Sequence, residues 1–207
     1  MGAGIAYEFR LRYPDMFTKY KIFCDKNFIT IGKLWIYDTN DKQIAYDKIL
    51  NFPTKQDWKY PSKIEYLEQG LQKFCDTFKS KNITSIAFPL LGADRGGIDR
   101  EKSFEIMDKY LNNLDIDVEI WYFDPNAKDD LYDDFKSKFL ELDDETIKEQ
   151  SKLRIDFVKK IKEALMRNDI NSLSGLLRVQ GIGDTTLEKS FNFIKNYHEN
   201  NKNLFNI

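Results

Sequence analysis

Three short stretches of this 207-residue chain hold the residue types that chemistry needs. Met1-Gly2-Ala3-Gly4-Ile5-Ala6 and Phe88-Pro89-Leu90-Leu91-Gly92-Ala93-Asp94-Arg95-Gly96-Gly97-Ile98-Asp99 are glycine-rich, and Asn51-Phe52-Pro53-Thr54-Lys55 sets a lysine just past an apolar run. A glycine-rich loop running into a helix leaves backbone N–H groups free at the positive helix end, which suits a phosphate or pyrophosphate. Glycine also lets backbone close on a ligand with no Cβ in the way. Two such loops suggest two walls of one nucleotide pocket. A lysine in a loop after a strand can pair with a phosphate, and once desolvated its amine can attack an aldehyde or a sugar C1. A plain solvated lysine is the competing reading.

The elements that must position these groups follow from periodicity. Residues 3–13 read as a helix with Ile5, Phe9 and Leu11 on its buried side, and Tyr13-Pro14-Asp15 breaks it. Residues 16–24 are helical, 30–37 and 45–52 are a strand and its return around Asn40-Asp41, and 61–81 are a long amphipathic helix with Ser62 as N-cap and Glu65 completing a capping box. Strands at 83–89 and 118–123 alternate with helices at 101–114 and 129–140, which argues for an α/β sandwich. The acidic, apolar-poor stretch 142–150 reads as a boundary, followed by helices at 155–166, 172–179 and 185–197.

Composition narrows the class. Hydrophobic residues are 42% and aromatics 14%, enough for a packed core. The net charge of −2 divides into −6 for residues 1–150 and +4 for 151–207, so a mildly basic tail follows an acidic domain. Cys24 and Cys75 fit no metal or redox spacing and read as buried free thiols of a reducing cytosol. No apolar run is long enough to span a bilayer. The expectations are a cytoplasmic protein, no membrane, no metal and no cofactor.

The ordered set of Met1–Phe9, Asn51–Lys55 and Pro89–Asp99 resembles the macrodomain family, which binds ADP-ribose. The resemblance covers about residues 1–125. Its branch looks like that of the DarG-type antitoxins, which remove ADP-ribose from DNA bases, and of the terminal ADP-ribose protein glycohydrolase. By that resemblance Gly2, Ala3, Gly4 and Ile5 surround the distal ribose. Thr54 adjoins the ligand, and Leu91, Gly92, Ala93, Asp94, Arg95, Gly96, Gly97 and Ile98 wrap the diphosphate. Lys55 falls where the branch keeps its catalytic lysine, which attacks or polarises C1″ of the distal ribose. The protein-directed member has an aspartate where Gly96 stands here. Asp94 and Asp99 are out of register, and Asp99 reads more simply as an N-cap, so the departure favours the DNA-directed branch. The family also has an upstream strand with an acidic residue for adenine and an asparagine near the distal ribose. The sequence opens at Met1 inside the glycine loop, so either its start is misplaced or the protein is shortened, and for the shortened form the expectation is weakened adenine binding.

Residues 178–189 contain Val179-Gln180-Gly181-Ile182-Gly183-Asp184-Thr185-Thr186-Leu187-Glu188-Lys189, which resembles a helix–hairpin–helix element. Gly181, Gly183, Thr185 and Lys189 would then hold a DNA phosphate without reading sequence. A hairpin used only for packing is the competing reading. Most aromatics, Trp121 and Tyr122 among them, read as core. Trp58 is kept as either a border of the substrate or simple packing. Asp129, Asp130, Asp133 and Asp134 read as a solvated helix face rather than a cation site.

The expected architecture is a three-layer α/β/α sandwich with a mixed sheet over residues 1–146 and a helical tail over 147–207. The expected activity is a Lys55-dependent ADP-ribosyl glycohydrolase acting on ADP-ribosylated DNA or protein, DNA bases foremost, in an antitoxin or in a phage enzyme that reverses a host modification. A non-catalytic ADP-ribose-binding module and a DNA-binding protein using its hairpin are the alternatives.

Overall fold

The computed structural model describes the backbone of residues 1–2, 4–40, 45–124, 127 and 129–204, and side chains as far as 197. In chain order its elements are α1 (Gly4–Arg12), α2 (Pro14–Asp25), β1 (Trp35–Asp38), β2 (Lys48–Asn51), α3 (Ile64–Thr77), β3 (Ser85–Pro89), α4 (Arg100–Leu111), β4 (Asp117–Trp121), α5 (Asp130–Glu141), α6 (Asp144–Ser151), α7 (Ile155–Leu165), α8 (Leu173–Leu176) and α9 (Asp184–Leu204). They form two compact units, one of residues 15–123 and one of 1–14 with 124–207. Asp41, expected in the turn between two strands, lies outside the described residues.

The unit of residues 15–123 is α/β. β1 and β2 pair antiparallel, Trp35 opposite Asn51, and β3 and β4 pair parallel, Ser85 opposite Asp117. Alternation sorts the side chains to two faces. Leu34, Leu50, Phe52, Ile86, Phe88, Val118 and Ile120 turn to one core with Leu67, Leu71 and Phe74 of α3 and Ile106, Met107 and Leu111 of α4. On the other face of the antiparallel pair, Phe23 of α2 meets the edge of Trp35 at 5.0 Å, and Asn51 Nδ2 lies 3.8 Å from Met16 Sδ. The outer face of the parallel pair (Ser85, Ala87, Pro89, Asp117, Glu119, Trp121) is exposed.

The second unit is helical. Tyr7 and Leu11 of α1, one turn apart, enter its core, and Ile5 stays 54% exposed, so the expected buried side of this helix is rotated. Those two residues share the core with Phe135 and Phe139 of α5, Ile161 of α7 and Leu187 and Phe191 of α9. Arg10 donates to Glu188 at 2.7 Å and to Asp184 at 3.1 Å, and the Glu8 carboxylate accepts the Ser174 N–H at 3.0 Å. Burial raises the Glu8 carboxyl above its ordinary value, and that N–H opposes the rise. Residues 144–151, expected as an open boundary, form α6: Asp143 caps two of its amides and Ile147 is fully buried. One apolar side chain, Ile147, was enough to seat this eight-residue helix.

Candidate active site

Lys55 stands in the segment that leaves β2. It is half-buried and makes no ion pair with a described carboxylate. The segment is held by Phe52, whose ring meets Phe88 of β3 edge-on at 6.4 Å and turns its tip to Gly70 of α3. A methyl at Gly70 would stand 2.5 Å from Phe52 Cε1. Further along, Tyr66 Oη donates to Gln56 Oε1 at 3.3 Å, and the Lys59 N–H donates to Asp57 Oδ1 at 2.9 Å.

The glycine loop leaves β3. Its root is fixed to α4: Ser103 Oγ donates to the Leu91 carbonyl at 2.7 Å, and the Leu91 N–H points at Met107 Sδ at 3.4 Å. The Ile98 N–H closes the loop on the Gly92 carbonyl at 3.0 Å, and Asp94–Gly96 form one 3₁₀ turn. Gly92, Asp94 and Gly97 have φ of +68°, +45° and +82°. The backbone N–H groups of Gly92, Ala93, Asp94 and Arg95 donate to no described acceptor. Such a row of unpaired N–H groups is an anion seat. The Asp94 carboxylate, which would oppose an anion, is drawn to the Arg100 guanidinium at 2.7 and 3.1 Å. Asp99 caps α4 as expected, accepting the Lys102 N–H at 3.0 Å.

The two segments meet at Ser62. Its N–H donates to the Gly96 carbonyl at 2.8 Å, and Pro61 abuts Gly97. Ser62 is therefore not the N-cap of α3. That position is Lys63, with no side-chain cap bond, because Ser62 is pulled onto the glycine loop and buried. Its hydroxyl has no partner among the described residues, and a methyl at Gly96 would stand 2.7 Å from that oxygen. Gly92 is equally confined: a methyl there would meet Ile98 Cδ1 at 2.9 Å and Leu67 Cδ1 at 3.0 Å. Gly92→Ala is expected to cost about 3 kcal/mol, left-handed strain plus overpacking. Urea denaturation checks the stability, and calorimetric titration with ADP-ribose is expected to read an affinity at least about tenfold lower.

A family model described as Macro domain matches residues 1–107. The chain belongs to the macro domain family. A DNA ADP-ribosyl glycohydrolase of Mycobacterium tuberculosis is 45% identical to it over 102 residues, 49% of this chain and 28% of that protein. One from Thermus aquaticus is 35% identical over 126 residues, 60% of this chain and 34% of that protein. The chain spans about a third of the length of these curated relatives. Among solved structures, the macrodomain of M. tuberculosis DarG aligns with a TM-score of 0.56 at 40% identity, over 59% of this chain and 80% of that one. Thermosipho africanus DarTG in complex with ADP-ribose aligns with a TM-score of 0.56 at 28% identity, over 63% of this chain and 36% of that one.

In this macrodomain the segment 52–62 and the loop 91–98, with Thr54 and Lys55, lie in the unit of residues 15–123, whereas Gly2, Gly4 and Ile5 lie in the helical unit. Gly4 opens α1 with φ +55°, and both N-terminal glycines have open space around them. Ala3 lies outside the described residues. Several expectations change. Trp121 and Tyr122 are 63% and 53% exposed, not core, because they fall on the uncovered face and the end of β4. Trp58, 81% exposed, is not packed either. Cys24 and Cys75 are free but only half-buried, and burial raises the Cys75 thiol. Asp129 caps α5 through the Tyr132 N–H and Asp134 pairs with Lys138, so that acidic group is a helix face. Among the described residues no group of three His, Cys, Asp or Glu is placed for a metal, and no described helix is long and apolar enough to cross a membrane.

In the hairpin, Gly181 turns with φ +91° beside Lys160 Nζ, Ile182 is buried, and Gly183, Thr185 and Lys189 are exposed. Arg178 is directed to the Asp169 carbonyl at 3.0 Å, away from a ligand role. Sequence reasoning missed Ser62 and Gly70 as the parts that hold the site. A glycine inside a strongly amphipathic helix was the available signal for the second.

Proposed function

We propose that this protein hydrolyses the bond between ADP-ribose and a DNA base, with Lys55 as the catalytic group and the free amides of Gly92–Arg95 seating the diphosphate. One observation carries the reading: the Ser62 N–H ties the lysine-bearing segment to the anion-facing loop at Gly96, within one compact unit. The names of the relatives support the substrate class, as does the complex of a structural neighbour with ADP-ribose. In the reaction, water adds across the C1″–N bond. The hydroxyl goes to C1″ and a proton to the base nitrogen, and the bond to the base breaks. Lys55 pairs with no described carboxylate, which leaves its nitrogen to engage C1″ as the sugar develops carbonyl-like character. Gly92, unable to carry a side chain, keeps the backbone at contact distance from the phosphates.

The test is to incubate the protein with ADP-ribosylated single-stranded DNA and with an ADP-ribosylated peptide, and to follow free ADP-ribose. Release from DNA and not from the peptide is the expected result. Retention of ADP-ribose without release from either would make this a binding module.

The hairpin is the second part of the proposal. Gly181, Gly183 and Thr185 would present backbone donors to a DNA phosphate, assisted by Lys189. Support comes from the exposure of all four and from the net +4 of residues 151–207. Asp184 and Glu188, which would repel a phosphate, are both engaged by Arg10. Lys189→Glu is expected to weaken DNA binding evenly across sequences and to flatten the salt slope by about 1, read by anisotropy at several salt concentrations. An unchanged slope removes the hairpin from DNA contact.

A further inference from the structure

Between Lys55 and α3 the chain exposes two large aromatics, Trp58 at 81% and Tyr60 at 65%. The loop that carries them is built, not slack. The Tyr60 N–H donates to the Asp57 carbonyl at 3.2 Å, the Lys59 N–H to the Asp57 carboxylate, and the far end is fastened by Ser62 to Gly96. Its cations have no anionic partner among the described residues: Lys55, Lys59 and Lys63 make no ion pair with a described carboxylate, although residues 1–150 carry a net charge of −6, and Lys63 Nζ sits 5.6 Å from the centre of the Tyr66 ring. Lys59 Nζ instead rests 5.7 Å from the centre of the Trp58 ring. A turn tied by these hydrogen bonds that holds aromatic faces in water, beside ammonium groups that pair with no described carboxylate, has the composition of a base-stacking platform.

We propose that residues 56–63 form a binding site for single-stranded DNA, in which Trp58 and Tyr60 stack unpaired bases next to the modified one and Lys59 and Lys63 meet the intervening phosphates. Stacking needs a free base face, so the occupant is single-stranded rather than duplex, and the site tolerates any sequence because every base has a π-face. The proposal rests on the reading of the protein as a DNA-directed ADP-ribosyl hydrolase. It adds the strand on either side of the target to what the enzyme recognises.

The experiment uses the full chain and two substrates, an ADP-ribosylated decamer and an ADP-ribosylated mononucleoside. Trp58→Ala and Tyr60→Ala are expected to raise KM for the decamer about tenfold, with kcat and the mononucleoside KM unchanged. An equal change on both substrates, or none on the decamer, overturns the platform. Both side chains are exposed, so the melting temperature serves as the folding control. In parallel, unmodified deoxythymidine decamer is titrated against intrinsic tryptophan fluorescence. Quenching that salt reverses, that Trp58→Ala abolishes and that duplex decamer does not produce is expected. Absence of quenching, or equal quenching by duplex, overturns the proposal. The titration needs no turnover, so a protein that releases no ADP-ribose would sink the hydrolase reading while leaving this site judged on its own readout.

Discussion

Lys55→Ala is expected to slow release of ADP-ribose from single-stranded DNA by about 10³-fold, with ADP-ribose affinity little changed. The amide donors of the glycine loop are backbone groups that the substitution leaves in place, so ground-state binding survives while the group that meets C1″ is gone. Lys55→Arg separates the two ways in which the lysine can act. A guanidinium keeps the positive charge and cannot serve as an amine nucleophile. Recovery of most of the rate by arginine would assign Lys55 to polarising the sugar, and a loss as deep as that of alanine would assign it to attack. Single-turnover release of ADP-ribose measures both. Equal turnover by wild type and Lys55→Ala would remove the residue from the mechanism.

Gly70→Ala is expected to lower turnover by about 10²-fold although Gly70 is not itself a proposed ligand contact. Alanine is the better helix former by about 1 kcal/mol. Its methyl, however, would overlap the Phe52 ring, and that ring has nowhere to go: Phe88 meets it edge-on and is itself held by Phe74 at 5.4 Å. Overpacking of this kind costs about 1–3 kcal/mol. The ring belongs to the segment that carries Lys55, so its displacement moves the amine. Phe52→Leu in the Gly70→Ala background, which removes the ring edge, is expected to restore part of the turnover. A Gly70→Ala protein with wild-type kinetics would show that Phe52 does not position Lys55.

How much of this site was legible beforehand depended on how local the cause was. The 91–98 loop could be read from residue order: three glycines between an apolar strand and a capped helix favour a tight turn with unpaired amides, and two of them have positive φ. The Asp99 cap was legible for the same reason, since its partner is the Lys102 amide one turn on. The cap expected at Ser62 failed because a distant carbonyl, Gly96, competes for its backbone. The aromatics divide similarly. Phe88 and Trp121 both lie on strands with half-apolar patterns. Which face is covered decides that one is 4% and the other 63% exposed, and no window of sequence contains that information.

Taken alone, the order of residues determined the backbone chemistry: where N–H groups are left unpaired, where a lysine follows a strand, where Asp99 starts α4. Those properties are set by φ/ψ preferences and by partners within one turn. Tertiary structure alone decided which segments are tied together. Ser62 seated on Gly96, Phe52 turned to Gly70, and α1 grouped with the C-terminal helices by Arg10, Asp184 and Glu188 are all cases of this. The physical reason is that these contacts are chosen by shape and charge across long chain separations, where many partners compete and only packing of the whole unit selects one.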